Sequence, residues 1–288
     1  MTEPASTDDI QAIAEKAVRL RTLVLEMTTL AGSGHPGPSL SAADVISVLY
    51  FHLMRHRPEA PGWPERDRFI LSKGHAAPAL YAALTLSGYF PAAELRTLRR
   101  LGSRLPGFPD MTRTPGVEAS SGSLGQGLSF GIGVALAARV TDRDHHTFVM
   151  VGDGECNEGQ IWEAAINAAT WDLDTLTVIV DRNDHQREAA GSLPYGPMEP
   201  MAKKWEAFGW DTREVDGHDL PALLRELTDA RDSRNGRPKA LIARTVRGKG
   251  SRQVADNPEY HMNPLPSELL DEAIAELNPA GERYLERT

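Results

Sequence analysis

The stretch "GDGECNEGQIWEAAINAATWDLDTLTVIVDRN" (152–183) carries the residue types that could do chemistry here. Gly152 and Gly154 permit a tight strand-to-helix turn and let a backbone N–H come close to an anion. Asp153 lies between them, and Asn183 follows thirty residues later, the length of one strand–helix–strand crossover. A carboxylate and an amide oxygen on neighbouring strand tips suit a hard divalent cation that also holds a phosphate. Mg²⁺ is the natural choice, since it accepts one or two protein ligands and takes the rest from phosphate and water. A turn aspartate and a capping asparagine are the plain alternative, and the residues alone leave both open.

Three apolar runs must supply the strands: "TFVMV" (147–151), "TLTVIV" (175–180) and "KALIART" (239–245), with "DTREV" (211–215) a weaker fourth. Helical patterns separate them, "GQIWEAAINAATW", "EPMAKKWEAFGW" and "LPALLRELTDARDS". The alternation predicts an α/β fold: a doubly wound, mostly parallel sheet with helices on both faces. Ligands in such sheets bind beyond the carboxyl ends of the strands, where "GDGE" and "DRND" would share an edge. Upstream, Ser6-x-x-Asp9 reads as a helix N-cap pair. Ile10, Ile13, Ala17, Leu20, Val24 and Met27 then form one helical face ending in the glycines of "LAGSGHPGPSL". A second helix is expected from about Ala42 to Met54. A short apolar "RFILS", the stretch "KGHAAPALYAALTLSGYF", an irregular span from Gly102 to Gly122 and a small-residue helix "LGQGLSFGIGVALAARV" follow. One domain over 1–288 is expected, with 246–288 as a turn-rich and then helical extension.

The chain has 288 residues, a net charge of −9 and one cysteine, Cys156. Its acidic balance speaks against wholesale nucleic-acid or anionic-membrane binding. A single cysteine excludes an internal disulfide and a cysteine-rich metal site. The polar N-terminus lacks a secretory pattern, and no run approaches the ~20 apolar residues of a membrane span. A cytoplasmic setting is the expectation.

Asp153-Gly154-Glu155 after a strand, with the distant Asn183, resembles the thiamine diphosphate motif, and the surrounding residues narrow the resemblance to transketolases. "SGHPGPSLSAADV" and "DRFILSKGHAAPALY" resemble the two histidine loops of that family. "TPGVEASSGSLGQGLSFGIGVALA" resembles its cofactor loop, and "EPMAKKWEAFGW" and "TVRGKGSRQVADNPEYH" its later segments. The likeness runs in order from about residue 10 to 265. It implies that Asp153, Asn183 and the backbone carbonyl of His185 ligand Mg²⁺. It implies that Gly152 and Gly154 bind the diphosphate, with the Gly154 N–H as donor. His35 and His75 would line the cofactor and substrate channel, and His261, aligned with a histidine near the end of the matched region, would be a third catalytic residue. Gly122 and Leu124 would touch the aminopyrimidine and support the cofactor's bent shape. Glu158 and Glu163 would sit at the subunit interface linking two active sites.

The resemblance also implies what must come from elsewhere. A transketolase carries its pyrimidine-binding domain after this region, and this chain ends at Thr288. The expectation is a split enzyme: a diphosphate-binding N-terminal subunit, a separate C-terminal subunit with the pyrimidine-binding domain, and an α₂β₂ heterotetramer active only when assembled. The reaction implied is transfer of a two-carbon ketol unit from a ketose-type donor to an aldehyde acceptor, with a small sugar or keto substrate. Two positions depart from the family. Phe108 in "LPGFPD" stands where a histidine is usual, and a phenyl ring can neither donate nor accept a hydrogen bond as that histidine would. Arg187 in "NDHQREAAG" stands where an aliphatic residue is usual. A specialised ketol or acyloin transfer is therefore expected. Other readings are a thiamine-dependent subunit of a 2-oxo-acid decarboxylase or dehydrogenase, and a cofactor-binding relative without turnover. A plain nucleotide-binding domain is the last, and it lacks a G-x-G-x-x-G after an early strand.

Overall fold

The structure, a computed structural model, describes residues 6–184 and 199–285. Helix α1 (Thr7–Ala31) opens on Ser6, whose Oγ accepts the Asp9 N–H at 3.1 Å while Asp9 Oδ2 accepts the Ser6 N–H at 3.0 Å. This reciprocal cap is the one the Ser6/Asp9 pair predicts. Ile13, Ala17, Leu20, Val24 and Met27 are buried along its inner face, and the helix stops at Gly32 with φ +58°.

The glycine-rich loop after α1 is more ordered than its composition suggests. It contains α2 (Pro36–Ser41), entered through Pro36 in the first turn, where a missing N–H costs nothing. The helix expected over Ala42–Met54 is α3 (Ala43–Val48), followed by a widened turn over Leu49–Leu53 in which the Met54 N–H reaches back to the Leu49 carbonyl at 2.8 Å. The apolar "RFILS" supplies a strand, β1 (Arg68–Leu71), ahead of α4 (Ala77–Ser87) and α5 (Gln126–Val140). Then follow β2 (Thr147–Gly152), α6 (Gly159–Thr170), β3 (Leu176–Arg182), α7 (Met201–Ala207), β4 (Asp211–Asp216), α8 (Leu220–Asp232), β5 (Lys239–Arg244) and α9 (Ser267–Leu277).

The five strands form one sheet in the order β1-β2-β3-β5-β4, and every neighbouring pair is parallel. The doubly wound expectation is met, and among the described residues the sheet is wholly rather than mostly parallel. Strand alternation feeds two cores. Phe148, Met150, Ile179 and Leu241 enter one with Leu20, Val24, Ile46 and Leu80. Val149, Val151, Val178, Val180 and Ile242 enter the other with Leu128, Ile161, Ala165 and Trp205. Burial on both faces is why the central strands read as unbroken apolar runs. Edge strand β4 exposes Arg213 and Glu214, which accounts for its weak strand pattern. The small residues of α5 also have a cause. A Cβ on Gly131 would stand 2.4 Å from Val149 Cγ2, so the helix lies closer to β2 than a larger residue allows.

After β5 the chain returns to the first helices. The Gly248 N–H donates to the Gly37 carbonyl (3.0 Å), Thr29 Oγ1 donates to the Leu265 carbonyl (3.1 Å), and the Tyr284 and Leu285 N–H groups donate to Glu26 (3.1 Å each). Among the described residues no helix is long and apolar enough to cross a membrane.

Candidate active site

The carboxyl ends of β2 and β3 meet in register, with Gly152 opposite Asp181. Just beyond, Asp153 joins the two tips. Its Oδ2 accepts the N–H groups of Asn183 and Asp184, both at 2.9 Å, its Oδ1 accepts the Gly154 N–H at 2.6 Å, and its own N–H donates to the Asp181 carbonyl at 3.3 Å. Asp153 and Asn183 are 3% and 8% exposed, so one crossover brings a carboxylate and an amide into one buried corner. Asn183 Nδ2 donates to Asp181 Oδ2 at 3.3 Å, which leaves the amide oxygen as the end not committed to Asp181.

The donor set fits the cation expected there. Among the described residues no group of three His, Cys, Asp or Glu side chains could hold a metal, so a closed protein cage is absent from them. A carboxylate and an amide oxygen at a strand edge suit Mg²⁺, which keeps most of its coordination for phosphate and water. Gly154, expected to donate to a diphosphate, spends its N–H on Asp153 in this structure. His185 and Arg187 lie outside the described residues.

Two buried carboxylates behind this corner hold its parts together, and the sequence reading assigned neither a role. Asp181 forms an ion pair with Lys73 and accepts the hydroxyls of Ser41 (2.7 Å) and Thr245 (2.6 Å). Burial pushes its carboxyl up; the Lys73 charge and the bonds from Lys73, Thr245 and Ser41 outweigh this and leave it below its ordinary value. Lys73 also donates to the Pro38 carbonyl at 3.0 Å, so α2 and the ends of β1, β3 and β5 converge on one pair. Glu155 accepts the Gly125 N–H (2.8 Å), the Gly152 N–H (3.0 Å) and the Ser72 hydroxyl, while Ser72 Oγ accepts the Gly127 N–H at 3.1 Å. Burial raises the Glu155 carboxyl above its ordinary value, against the pull of these bonds. The β2 tip, the segment after β1 and the start of α5 are thereby tied to one side chain.

The three histidines come together. Ring centroids of His35 and His75 are 5.5 Å apart, His35 and His261 5.8 Å, and His75 and His261 5.5 Å. They arrive from the residue capping α2, the turn after β1 and the segment after β5. Burial, with Arg99 nearby, lowers His35 to about 4. Burial, then the Lys73 charge and the other two imidazoles, takes His75 well below its usual value. Both are neutral at pH 7 and able to donate and accept hydrogen bonds with a hydroxylated substrate. Buried His35 Nδ1 has no hydrogen-bond partner among the described residues.

Phe108 completes one wall. Its ring centroid is 6.5 Å from that of His35, and a Cβ on Gly122 would lie 3.1 Å from its Cδ1. Gly122 has φ +147°, so both conformation and space call for glycine. Gly74, beside His75, packs on the same loop: a Cβ there would stand 2.9 Å from the Gly122 nitrogen. Leu124 is half-buried on this loop. Glu158 is exposed at the start of α6 but borders it, since a Cβ on Gly125 would lie 2.9 Å from Glu158 Cβ. Glu163, on the outer face of α6, is exposed.

The domain family described as "Transketolase, thiamine diphosphate binding domain" matches residues 12–279. The chain belongs to the transketolase family. It is 43% identical over 262 residues to a 6-deoxy-6-sulfo-D-fructose transketolase subunit, SqwG, of Clostridium sp. (strain MSTE9), covering 91% of this chain and 94% of that subunit. It is 39% identical over 269 residues to the transketolase of Homo sapiens, covering 93% of this chain but 42% of the human one. The structure of Leishmania mexicana transketolase superposes with a TM-score of 0.86 at 32% identity, over 96% of this chain and 42% of that one. This transketolase-family chain therefore spans less than half the length of the full transketolases it matches. The domain it represents binds thiamine diphosphate, which transketolases use with a divalent metal ion.

Proposed function

We propose that this chain is the diphosphate-binding subunit of a two-chain transketolase that moves a two-carbon ketol unit from a ketose donor to an aldehyde acceptor. The observation that supports this reading is the common edge of the sheet: the buried Asp153 carboxylate and Asn183 amide at the β2 and β3 tips beside three clustered imidazoles, two of them held neutral. Asp153 and Asn183 would hold the metal, with the carbonyl of His185 as the third ligand the family resemblance implies; Gly152 and Gly154 would face the diphosphate, and Gly122 and Leu124 would meet the ring system. Thiamine diphosphate supplies the carbon nucleophile that cleaves the bond beside the donor carbonyl. The protein orients the donor's hydroxyls with His35, His75 and His261, and Phe108 keeps an apolar wall where no hydroxyl is bonded.

Coverage of 94% of a known subunit, against 42% of full-length enzymes, supports a separate partner carrying the pyrimidine-binding domain. Two copies of each chain would form the α₂β₂ assembly, with Glu158 and Glu163 on the face turned to a neighbour. Residues 1–288 are read as one domain whose extension runs from 246 to 288. The name of the bacterial relative gives the first donor to test, 6-deoxy-6-sulfo-D-fructose, beside phosphorylated ketoses. The test assays this chain with thiamine diphosphate, Mg²⁺ and each donor, alone and co-expressed with the product of the adjacent reading frame. Turnover is expected in the pair and not in the single chain. Robust turnover by the chain alone would overturn the two-chain reading.

A further inference from the structure

Away from the cofactor corner, a buried charge relay holds the segment that carries His261. Asp44 on α3 takes both Nη atoms of Arg21 on α1, at 2.9 and 2.6 Å, and its Oδ2 also meets His218 Nδ1 at 2.7 Å. All three side chains are less than a tenth exposed. His218 Nε2 faces the Val246 N–H at 2.8 Å. That N–H is a donor, so Nε2 carries the lone pair, and the proton sits on Nδ1 and points at Asp44. Arg21 Nε, at the other end of the relay, donates to the Lys249 carbonyl at 3.1 Å. One carboxylate thus orients two groups that each grip the backbone just after β5.

Those two grips stand at the base of the path to His261. The Asp256 N–H donates to the Arg247 carbonyl at 2.9 Å, closing the loop that starts there. The turn that follows ends at His261, and a Cβ on Gly37, two residues past His35, would stand 3.0 Å from the Tyr260 carbonyl and 3.1 Å from Arg247 Cγ. With so little clearance, a shift of the Val246–Lys249 backbone passes to the turn and to the imidazole on it.

We propose that Arg21, Asp44 and His218 are positioning residues for the transfer reaction, clamping Val246 and Lys249 so that His261 stands against His35 and His75. The proposal rests on the reading that these histidines line the substrate channel.

Two variants separate the clamp from plain packing. His218→Gln places an acceptor about where Nε2 stands and keeps the Val246 bond, whereas His218→Asn reaches only Asp44. Hydrogen exchange of the full chain in its assembled complex should show residues 246–261 exchanging about tenfold faster in His218→Asn and near the wild-type rate in His218→Gln, as expected when one buried backbone bond is lost. kcat should fall with the exchange change while the donor KM moves less. Arg21→Lys keeps the charge on Asp44 but gives up the Nε donor, and should loosen the same segment. Wild-type exchange and kcat in His218→Asn would overturn the proposal, and so would equal losses in the Asn and Gln variants. If the wild-type complex shows no ketol transfer, the functional reading fails while the exchange comparison still decides whether the clamp exists.

Discussion

Lys73→Met removes a buried cation and keeps nearly the same stem. In the wild type, the side chains of Lys73 and Asp181 are 1% and 0% exposed, so the carboxylate is removed from bulk solvent. Without Lys73 it retains the Ser41 and Thr245 hydroxyls and the Asn183 amide, but no opposing charge. Breaking a buried pair from one side costs about 3–5 kcal/mol, and the three remaining donors favour the lower end. A chain of this length has an unfolding entropy of about 0.6 kcal/mol/K, so the thermal midpoint should fall by ~5–8 °C. Lys73→Met/Asp181→Asn removes both charges and should recover at least half of that loss, because a neutral buried pair leaves no uncompensated ion. Scanning calorimetry of the three proteins at pH 7 makes the comparison. A single variant within 1–2 °C of wild type, or a double variant as unstable as the single, would refute the view that Lys73 acts through its charge on Asp181.

Asp153→Ala should abolish Mg²⁺-dependent thiamine diphosphate binding, a loss of at least ~100-fold by calorimetry, since it removes both a metal oxygen and the acceptor that fixes the Asn183 and Asp184 amides. Gly122→Ala should weaken cofactor binding in the assembled enzyme and cost about 1–2 kcal/mol in denaturant unfolding. The added methyl meets Phe108 at 3.1 Å in a backbone conformation unfavourable to L-residues, and an unchanged unfolding midpoint would contradict this. His35, lowered to about 4 from an unfolded value near 6.5, binds its proton more readily in the unfolded chain. Its contribution is complete above pH 6.5 and is lost as the pH falls towards 4. His35→Gln should therefore flatten the acid limb of the stability curve across that window.

Much of this arrangement was legible in the residues themselves. Strands β2, β3 and β5 announce themselves because burial on both faces demands continuous apolar runs, and the 153/183 spacing follows from a single crossover. Helix α2 was hidden because "GHPGPSLS" has the composition of a turn, although Pro36 serves well at a helix start. The widened end of α3 leaves no periodic trace of its own. The buried ions were hidden for a different reason. Lys73 and Asp181 are 108 positions apart and His218 and Asp44 are 174 apart, and a lone charged residue in a sequence looks like surface until its partner is known. Glu155 stood in view within "GDGE", but its role depends on Ser72 and Gly125, which only the folded chain brings near.

The Lys73–Asp181 pair also imposes an order on synthesis. Lys73 leaves the ribosome 108 residues before its counter-charge. At roughly 5–20 residues per second, that interval lasts about 5–20 s. During it, β1 has no strand beside it until β2 emerges, and its following lysine cannot be buried without an unpaired charge. This corner of the sheet therefore cannot close with its charges paired until residue 181 at the end of β3 has been made.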